Sequence, residues 1–208
     1  MSADGAARPQ AAAIENPLSG ERITIGPAAS PAAGPAAAQV LEWELVLAPG
    51  GRVPSSHAHP GQEERFTVLA GQLRFRAGRR RITAGPGDTV VIPPGTVHHF
   101  ANPGRVPARV AVTTRPALRM RELLQTAAAL ATEQHAAGRR LPRMLELALF
   151  MRDFDREVRA PYLPAALVRA VTGPVTALAR RRGLDARYRR LRGPAASPAG
   201  PAGLPPAP

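Results

Sequence analysis

The sequence contains no cysteine and no lysine. Without cysteine it has no disulfide framework, no thiolate metal site and no cysteine nucleophile. Aromatic residues are only 4% of the chain, so a core must be built mainly from Val, Leu, Ile and Ala. No transmembrane segment is expected. The longest charge-free stretch early in the chain, Ile23–Leu41, is interrupted by Pro27, Pro31 and Pro35, whereas a membrane helix needs about 20 unbroken apolar residues. The first twenty residues lack a basic start followed by an apolar run, so no targeting segment is read there and a soluble, cytoplasmic protein is expected. With lysine absent, all 28 basic residues are arginine, and together with the excess of Ala, Gly and Pro this reflects GC-rich coding. The net charge of +13 is therefore a weak nucleic-acid footprint. It comes without zinc-finger spacing, an RNP signature or a row of aromatics to stack bases, so nucleic acid is not the expected partner.

A length of 208 residues allows one domain with an appendage, or two very small domains. Residues 1–39 read as a flexible N-terminal arm, with Ile23–Ile25 as one short strand and 26–39 as a Pro/Ala/Gly loop. The pattern then changes. Val40–Leu47 alternates, with Leu41, Trp43 and Leu45 against Glu42 and Glu44, as a half-buried strand does. Glu64–Leu69 and Gln72–Arg76 flank Ala70-Gly71 as a hairpin, and Arg81–Thr83, Thr89–Ile92, His98–Ala101 and Arg109–Thr113 are further short runs between Gly- and Pro-containing turns. Many short strands at close spacing argue for a single β-barrel or sandwich over residues 40–116.

From residue 117 the period becomes helical. Met120, Leu123, Leu124, Ala127, Leu130 and Ala131 form one stripe, which Gly138 ends. A second stripe runs from Leu141 through Met144, Leu145, Ala148 and Met151, with Leu147, Phe150, Phe154 and Val158 beside it. A third helix begins at Leu167, Val168 and Val171 and is expected to break or kink at Gly173-Pro174. An Arg-rich stretch then continues to 192, and the Pro/Ala/Gly tail 193–208 reads as disordered. Residues 119–208 carry a net charge of +9 against +4 for residues 1–118. Three readings fit that arginine: a solvated face on helices packed against the barrel or a second subunit, an anionic membrane surface, or an acidic partner. Asp153, Asp155 and Glu157, interspersed with the arginines, favour the first.

Four of the five histidines fall in two short segments. His57 and His59 are two apart, so on an extended chain both imidazoles point the same way. Glu64 opens the next strand run and shares its face with Phe66 and Val68, whereas Glu63 faces solvent by the same parity. His98 follows the Pro93-Pro94-Gly95 turn, and His99 points away from it. His135 reads as a surface residue of the first helix. A buried histidine is ordinarily a satisfied core residue, but three imidazoles and one carboxylate converging inside a barrel make a site for one divalent transition metal: Fe, Mn, Ni, Cu or Zn. Phe66, Val68, Ile92 and Phe100 are either pocket lining or plain core.

These residues resemble the cupin superfamily. Gly51, His57, His59, Glu64 and Gly71 match its first motif, G-x5-H-x-H-x4-E-x6-G, and Gly87, Pro93, Gly95, His98 and Asn102 match its second, G-x5-P-x-G-x2-H-x3-N. The resemblance covers roughly residues 40–115 and is similar to actinobacterial single-cupin proteins with a helical C-terminal extension. It implies a mainly β fold, the cupin double-stranded β-helix or jelly-roll barrel, followed by an α-helical extension. It also implies that His57, His59, Glu64 and His98 are the metal ligands. It assigns the extension no role. The resemblance implies dimerisation through barrel edges, which leaves a homodimer open; the extension covering those edges is the alternative.

Fold does not fix function. One reading is a metal-dependent enzyme on a small organic substrate, with dioxygenase-type oxidoreductase chemistry favoured and Lewis-acid isomerisation or cyclisation on the same centre as the alternative. The other is a non-enzymatic module that binds a small molecule or a metal. No general base stands out beyond the ligands, and the proline content of residues 1–39 argues against a DNA-binding helix-turn-helix ahead of the barrel.

Overall fold

The computed structural model describes residues 13–26, 40–53, 55–139, 142–161 and 164–192. The expected loop at 27–39, Leu141 of the second helical stripe and the tail 193–208 lie outside the described residues. Nine strands precede four helices within them. The strands are β1 (Ala13–Asn16), β2 (Glu21–Ile25), β3 (Leu41–Leu47), β4 (Glu63–Ala70), β5 (Leu73–Ala77), β6 (Arg80–Ala84), β7 (Thr89–Ile92), β8 (His98–Ala101) and β9 (Ala108–Arg115). The helices are α1 (Met120–Ala136), α2 (Met144–Asp153), α3 (Ala165–Arg181) and α4 (Ala186–Arg192).

All strand pairings are antiparallel, in a six-stranded sheet ordered β1-β2-β3-β9-β4-β7 and a three-stranded sheet ordered β6-β5-β8. The two-residue period decides which side chains enter. On β3, Leu41, Trp43, Leu45 and Leu47 are buried while Glu42 is exposed. On β4 the buried set is Glu64, Phe66 and Val68, and on β8 it is His98 and Phe100. Phe66 of the larger sheet meets Phe75 and Phe100 of the smaller one at ring separations of 5.3 Å each, so this trio joins the two sheets across the core. The fold is the cupin double-stranded β-helix followed by helices.

Two glycines are required by close approach. A Cβ on Gly71, where φ is +74°, would sit 2.7 Å from the Pro107 carbonyl oxygen, and one on Gly51 would meet the Ser19 carbonyl oxygen at 2.9 Å. Asn102 ties down the turn after β8. Its buried amide donates to the carbonyls of Leu47, Ala48 and Val106 at 3.0, 3.2 and 2.8 Å and accepts from Gly104 N–H at 2.8 Å.

Three local expectations are corrected. Residues 13–25 are not a flexible arm with one short strand: β1 and β2 form a hairpin, and β2 pairs with β3 from Glu21–Leu47 to Ile25–Trp43, while residues 1–12 of the expected arm lie outside the described residues. Ile23 and Ile25 bury against the barrel core, and α1 lies against β1 at that end of the sheet. Small polar residues hid this hairpin, because its order comes from an edge offered by β3 rather than from its own pattern. Second, α3 runs through Gly173-Pro174 without a break. The Thr172 and Thr176 hydroxyls donate to the carbonyls of Val168, Thr172 and Gly173 in the turns on either side of the proline. Third, Leu149 is the buried residue of α2, whereas Met144 is exposed. The chain then turns at Phe154, which is wholly buried in the barrel core, and this anchor sets the rotation of α2.

Candidate metal centre

The segment His57–His59 is not a full strand but is held extended by isolated backbone bridges, from His57 to His98 on one side and from Ala58 to Arg159 on the other. His57 exchanges N–H···O bonds with His98 of β8, at 3.0 and 2.8 Å, and Gly95 N–H donates to the His59 carbonyl at 2.8 Å. These bonds carry both imidazoles to the inner face of β8, where strand parity already aims His98, and β4 brings Glu64 to the same place. Glu64 Oε2 lies 3.2 Å from His59 Nε2 and 3.1 Å from His98 Nε2. The ring centroid of His57 is 5.0 Å from that of His59 and 4.5 Å from that of His98. One ligand atom from each of the four residues lies within 4.8 Å of the others. His59, Glu64 and His98 are buried and His57 is half-buried.

The hydrogen bonds fix which nitrogen is available. In all three rings Nδ1 faces a backbone carbonyl: Ser55 at 3.1 Å for His57, Glu157 at 2.5 Å for His59 and Thr96 at 2.9 Å for His98. Each Nδ1 therefore carries its hydrogen and donates it, which leaves Nε2 as the ring nitrogen available to the cluster. Metal-bound histidines are held in this way, with the distal N–H given to a carbonyl or carboxylate. Ligand atoms each about 2.1 Å from one ion lie within about 4.2 Å of one another, close to the 4.8 Å spread of this cluster. The donor set and its outer hydrogen bonds fit a divalent transition metal.

The electrostatics point the same way. Burial pushes His57 down to about 4, and the neighbouring His59 and His98 rings add to that, with Glu64 and the Ser55 carbonyl opposing. For His59, burial also lowers the pKa, but the charge and hydrogen bond of Glu64 and the Glu157 carbonyl outweigh it and hold the ring above its usual value. Burial would raise the Glu64 carboxyl, yet the His59 and His98 contacts overcome it and keep the group well below the carboxylate range. An anionic carboxylate stays buried here because imidazoles surround it.

Glu63 lies on the opposite face of β4 beside Arg65, with 43% of its side chain exposed. His99 is turned away and meets Ser56 Oγ through Nδ1 at 2.9 Å, and His135 is exposed on α1. Phe66, Val68, Ile92 and Phe100 all lie in the apolar core. Phe66 and Phe100 are two residues from Glu64 and His98 on the same faces, and Ile92 is the cross-strand partner of Glu64. Sequence reasoning did not find the Glu157 carbonyl at the site, nor Phe154 as the core anchor of the segment that carries it. A backbone carbonyl leaves no trace in residue type. The scarcity of aromatics was the available signal for Phe154: three of the five phenylalanines are Phe66, Phe75 and Phe100 of the barrel core, and the other two are Phe150 and Phe154.

The antiparallel barrel thus carries a largely buried cluster of three imidazoles and one carboxylate with the donor set of a metal site. Residues 43–114 match the cupin domain family, and this segment is a cupin domain. The chain is similar to a germin-like protein of Brassica napus, 35% identical over 106 residues, covering 47% of this chain and 51% of that protein. It thus spans about half the length of that curated relative. Two solved structures are also similar. One is a conserved double-stranded β-helix protein of Klebsiella pneumoniae, 21% identical, covering 45% of this chain and 74% of the other at a TM-score of 0.38. The second is a sugar phosphate isomerase of the cupin superfamily from Silicibacter pomeroyi, 26% identical, covering 46% and 59% at a TM-score of 0.38. No helix among the described residues is long and apolar enough to cross a membrane.

Proposed function

We propose that this chain is a metal-dependent cupin enzyme acting on a small organic molecule, with His57, His59, Glu64 and His98 as the ligands of one divalent transition metal (Fe, Mn, Ni, Cu or Zn). The observation that carries this reading is the shared orientation of the three imidazoles. Each gives Nδ1–H to a main-chain carbonyl, and Nε2 is directed to a common point beside the Glu64 carboxylate. Hydrogen bonding of this kind holds ligands in place before an ion arrives.

His57, His59, Glu64 and His98 would hold the ion from the protein side and leave its remaining positions to small molecules. Held there, such an ion would supply Lewis acidity and, for Fe, Mn, Ni or Cu, one-electron chemistry with O2. The chain's own residues orient and enclose. Phe66, Phe100 and Ile92 give the inner wall an apolar character that suits the ring or enol of a chelating substrate and keeps water down. The half-buried His57 marks the side from which a substrate enters. Dioxygenase-type chemistry on an enol or catechol-like substrate is the favoured reaction, in a cytoplasmic protein.

The test is O2 consumption by the metal-loaded full chain against a panel of catechols and 1,3-diketones. Uptake that requires both substrate and metal, and that is lost in His57→Ala, supports the reading. Tight binding of Zn with no oxygen uptake would replace it by Lewis-acid isomerisation or cyclisation, or by simple binding.

A further inference from the structure

The helical extension touches the metal cluster, and it does so through backbone. His57 and His98 give their Nδ1 hydrogens to carbonyls only two residues away, Ser55 and Thr96. His59 reaches instead to the Glu157 carbonyl, 98 residues along the chain, at 2.5 Å. Ala58, the residue between the two ligands of the first motif, forms an antiparallel bridge with Arg159. Its N–H donates to the Arg159 carbonyl at 3.2 Å, and Arg159 N–H donates to the Ala58 carbonyl at 2.9 Å. One side of the ligand loop is thus hydrogen-bonded to β8 and the other to the segment after α2.

That segment is pinned from behind. Phe154 is wholly buried in the barrel core, with the Arg119 guanidinium 4.9 Å over its ring. The Glu157 side chain is buried at 3% exposure, and its Oε1 accepts the backbone N–H of Arg119, the N-cap of α1, at 3.3 Å. Arg119 also donates to the Asp153 carbonyl at 3.1 Å. A buried carboxylate at a helix start takes one of the N–H groups that the helix leaves unpaired. The position of the Glu157 carbonyl is therefore set by α1, α2 and the barrel together.

We propose that residues 154–159 are a positioning element of the metal centre: they hold the His59 ring and the His57–His59 loop in ligating geometry, so the extension is part of the site and not an appendage to it. The proposal rests on the metal-centre reading given above. It carries a reciprocal consequence. If docking of this segment strengthens metal binding, metal binding must strengthen docking by the same factor. A segment that merely tethers the helices would show neither effect.

The experiment uses the full chain and Co(II) or Zn(II) as probe. Glu157→Ala removes the side-chain anchor, and Arg159→Pro removes the N–H given to Ala58. In both, metal affinity should fall by about 10–100-fold, the usual effect of losing support behind a metal ligand. The visible absorption of bound Co(II), which reports ligand geometry, should shift. Glu157→Gln keeps an oxygen acceptor for Arg119 N–H and should restore most of the affinity and the original spectrum. In the unaltered protein, Zn(II) should slow hydrogen exchange at the Ala58 and Arg159 amides, a readout that stands even if a variant does not fold. Unchanged affinity and Co(II) spectrum in folded Glu157→Ala and Arg159→Pro, or unchanged exchange at those two amides, would overturn the proposal while leaving the metal centre intact. Failure of the unaltered chain to bind either ion would overturn both.

Discussion

The barrel and the helical extension bury their apolar residues in different ways. On β3 and β9 every inward position is buried, from Leu41 to Leu47 and from Ala108 to Thr114. On α3, by contrast, Leu167, Val171, Val175 and Leu178 are each about half exposed. The barrel is held by a continuous period-two pattern, so its register resists slippage. The extension is held at separate anchors: Met120 and Leu123 of α1, Leu149 of α2, Phe154 and Tyr188. Its arginines serve those anchors. Arg192 pairs with Asp153 at 2.9 Å and Glu122 at 3.7 Å, and Arg187 pairs with Glu133 and, at 3.2 Å, with Glu146. Partly exposed pairs of this kind contribute about 0–1 kcal/mol each, so they orient the helices more than they stabilise them. The barrel is held along whole strands, while the extension is attached at points, and one of those points is the His/Glu cluster.

Substitutions should separate the two regions. Phe66→Ala removes one ring of the trio that joins the sheets, and should cost about 3–5 kcal/mol in urea unfolding. Gly71→Ala places a methyl against the Pro107 carbonyl at a left-handed backbone position, and should cost about 1–3 kcal/mol by the same measurement.

A third test concerns protons. His59 sits above its ordinary pKa of about 6.5 because Glu64 holds its charge. Its contribution to the metal-free fold is therefore full below about pH 6.5 and is lost as pH rises through the raised value. Glu64, held low, contributes above its unfolded pKa of about 4.3 and loses that contribution as pH falls toward its folded value. Because its pKa is raised, His59 keeps its proton to higher pH than a free imidazole and a metal must displace whatever share of it is bound, whereas His57, at about 4, has none to expel near neutrality. Calorimetry of Zn(II) binding in buffers of different ionisation enthalpy should show release of up to one proton, and this release should vanish in His59→Ala. The smallest effect belongs to α3: Val171→Ser should change stability by less than about 0.5 kcal/mol. A cost several times larger would mean that this face is covered in solution, and the contrast between the regions would fail.

What was legible from sequence follows the same division. The barrel strands could be read because alternation is local. Glu64, Phe66 and Val68 share a face by parity alone, and Glu63 is excluded by the same rule. The convergence of His57, His59 and His98 with Glu64 was visible from spacing and from the resemblance of both motifs to the cupin pattern. The β1–β2 hairpin was not legible, because β3 supplies the edge that orders it. Helix α3 was expected to break or kink at Gly173-Pro174, since proline lacks the N–H of a helix interior, and the helix instead runs through it without a break. The contact between His59 and Glu157 was beyond reach, because a carbonyl is common to every residue and only tertiary packing selects this one.

The central claim is that His57, His59, Glu64 and His98 hold one metal ion. Elemental mass spectrometry of the full chain, purified without a histidine tag, tests it most directly. The account predicts about one equivalent of Fe, Mn, Ni, Cu or Zn per chain, and none in a His57→Ala, His59→Ala double variant whose barrel remains folded. A metal-free protein that takes up no ion on reconstitution, or a double variant that keeps full occupancy, would contradict it.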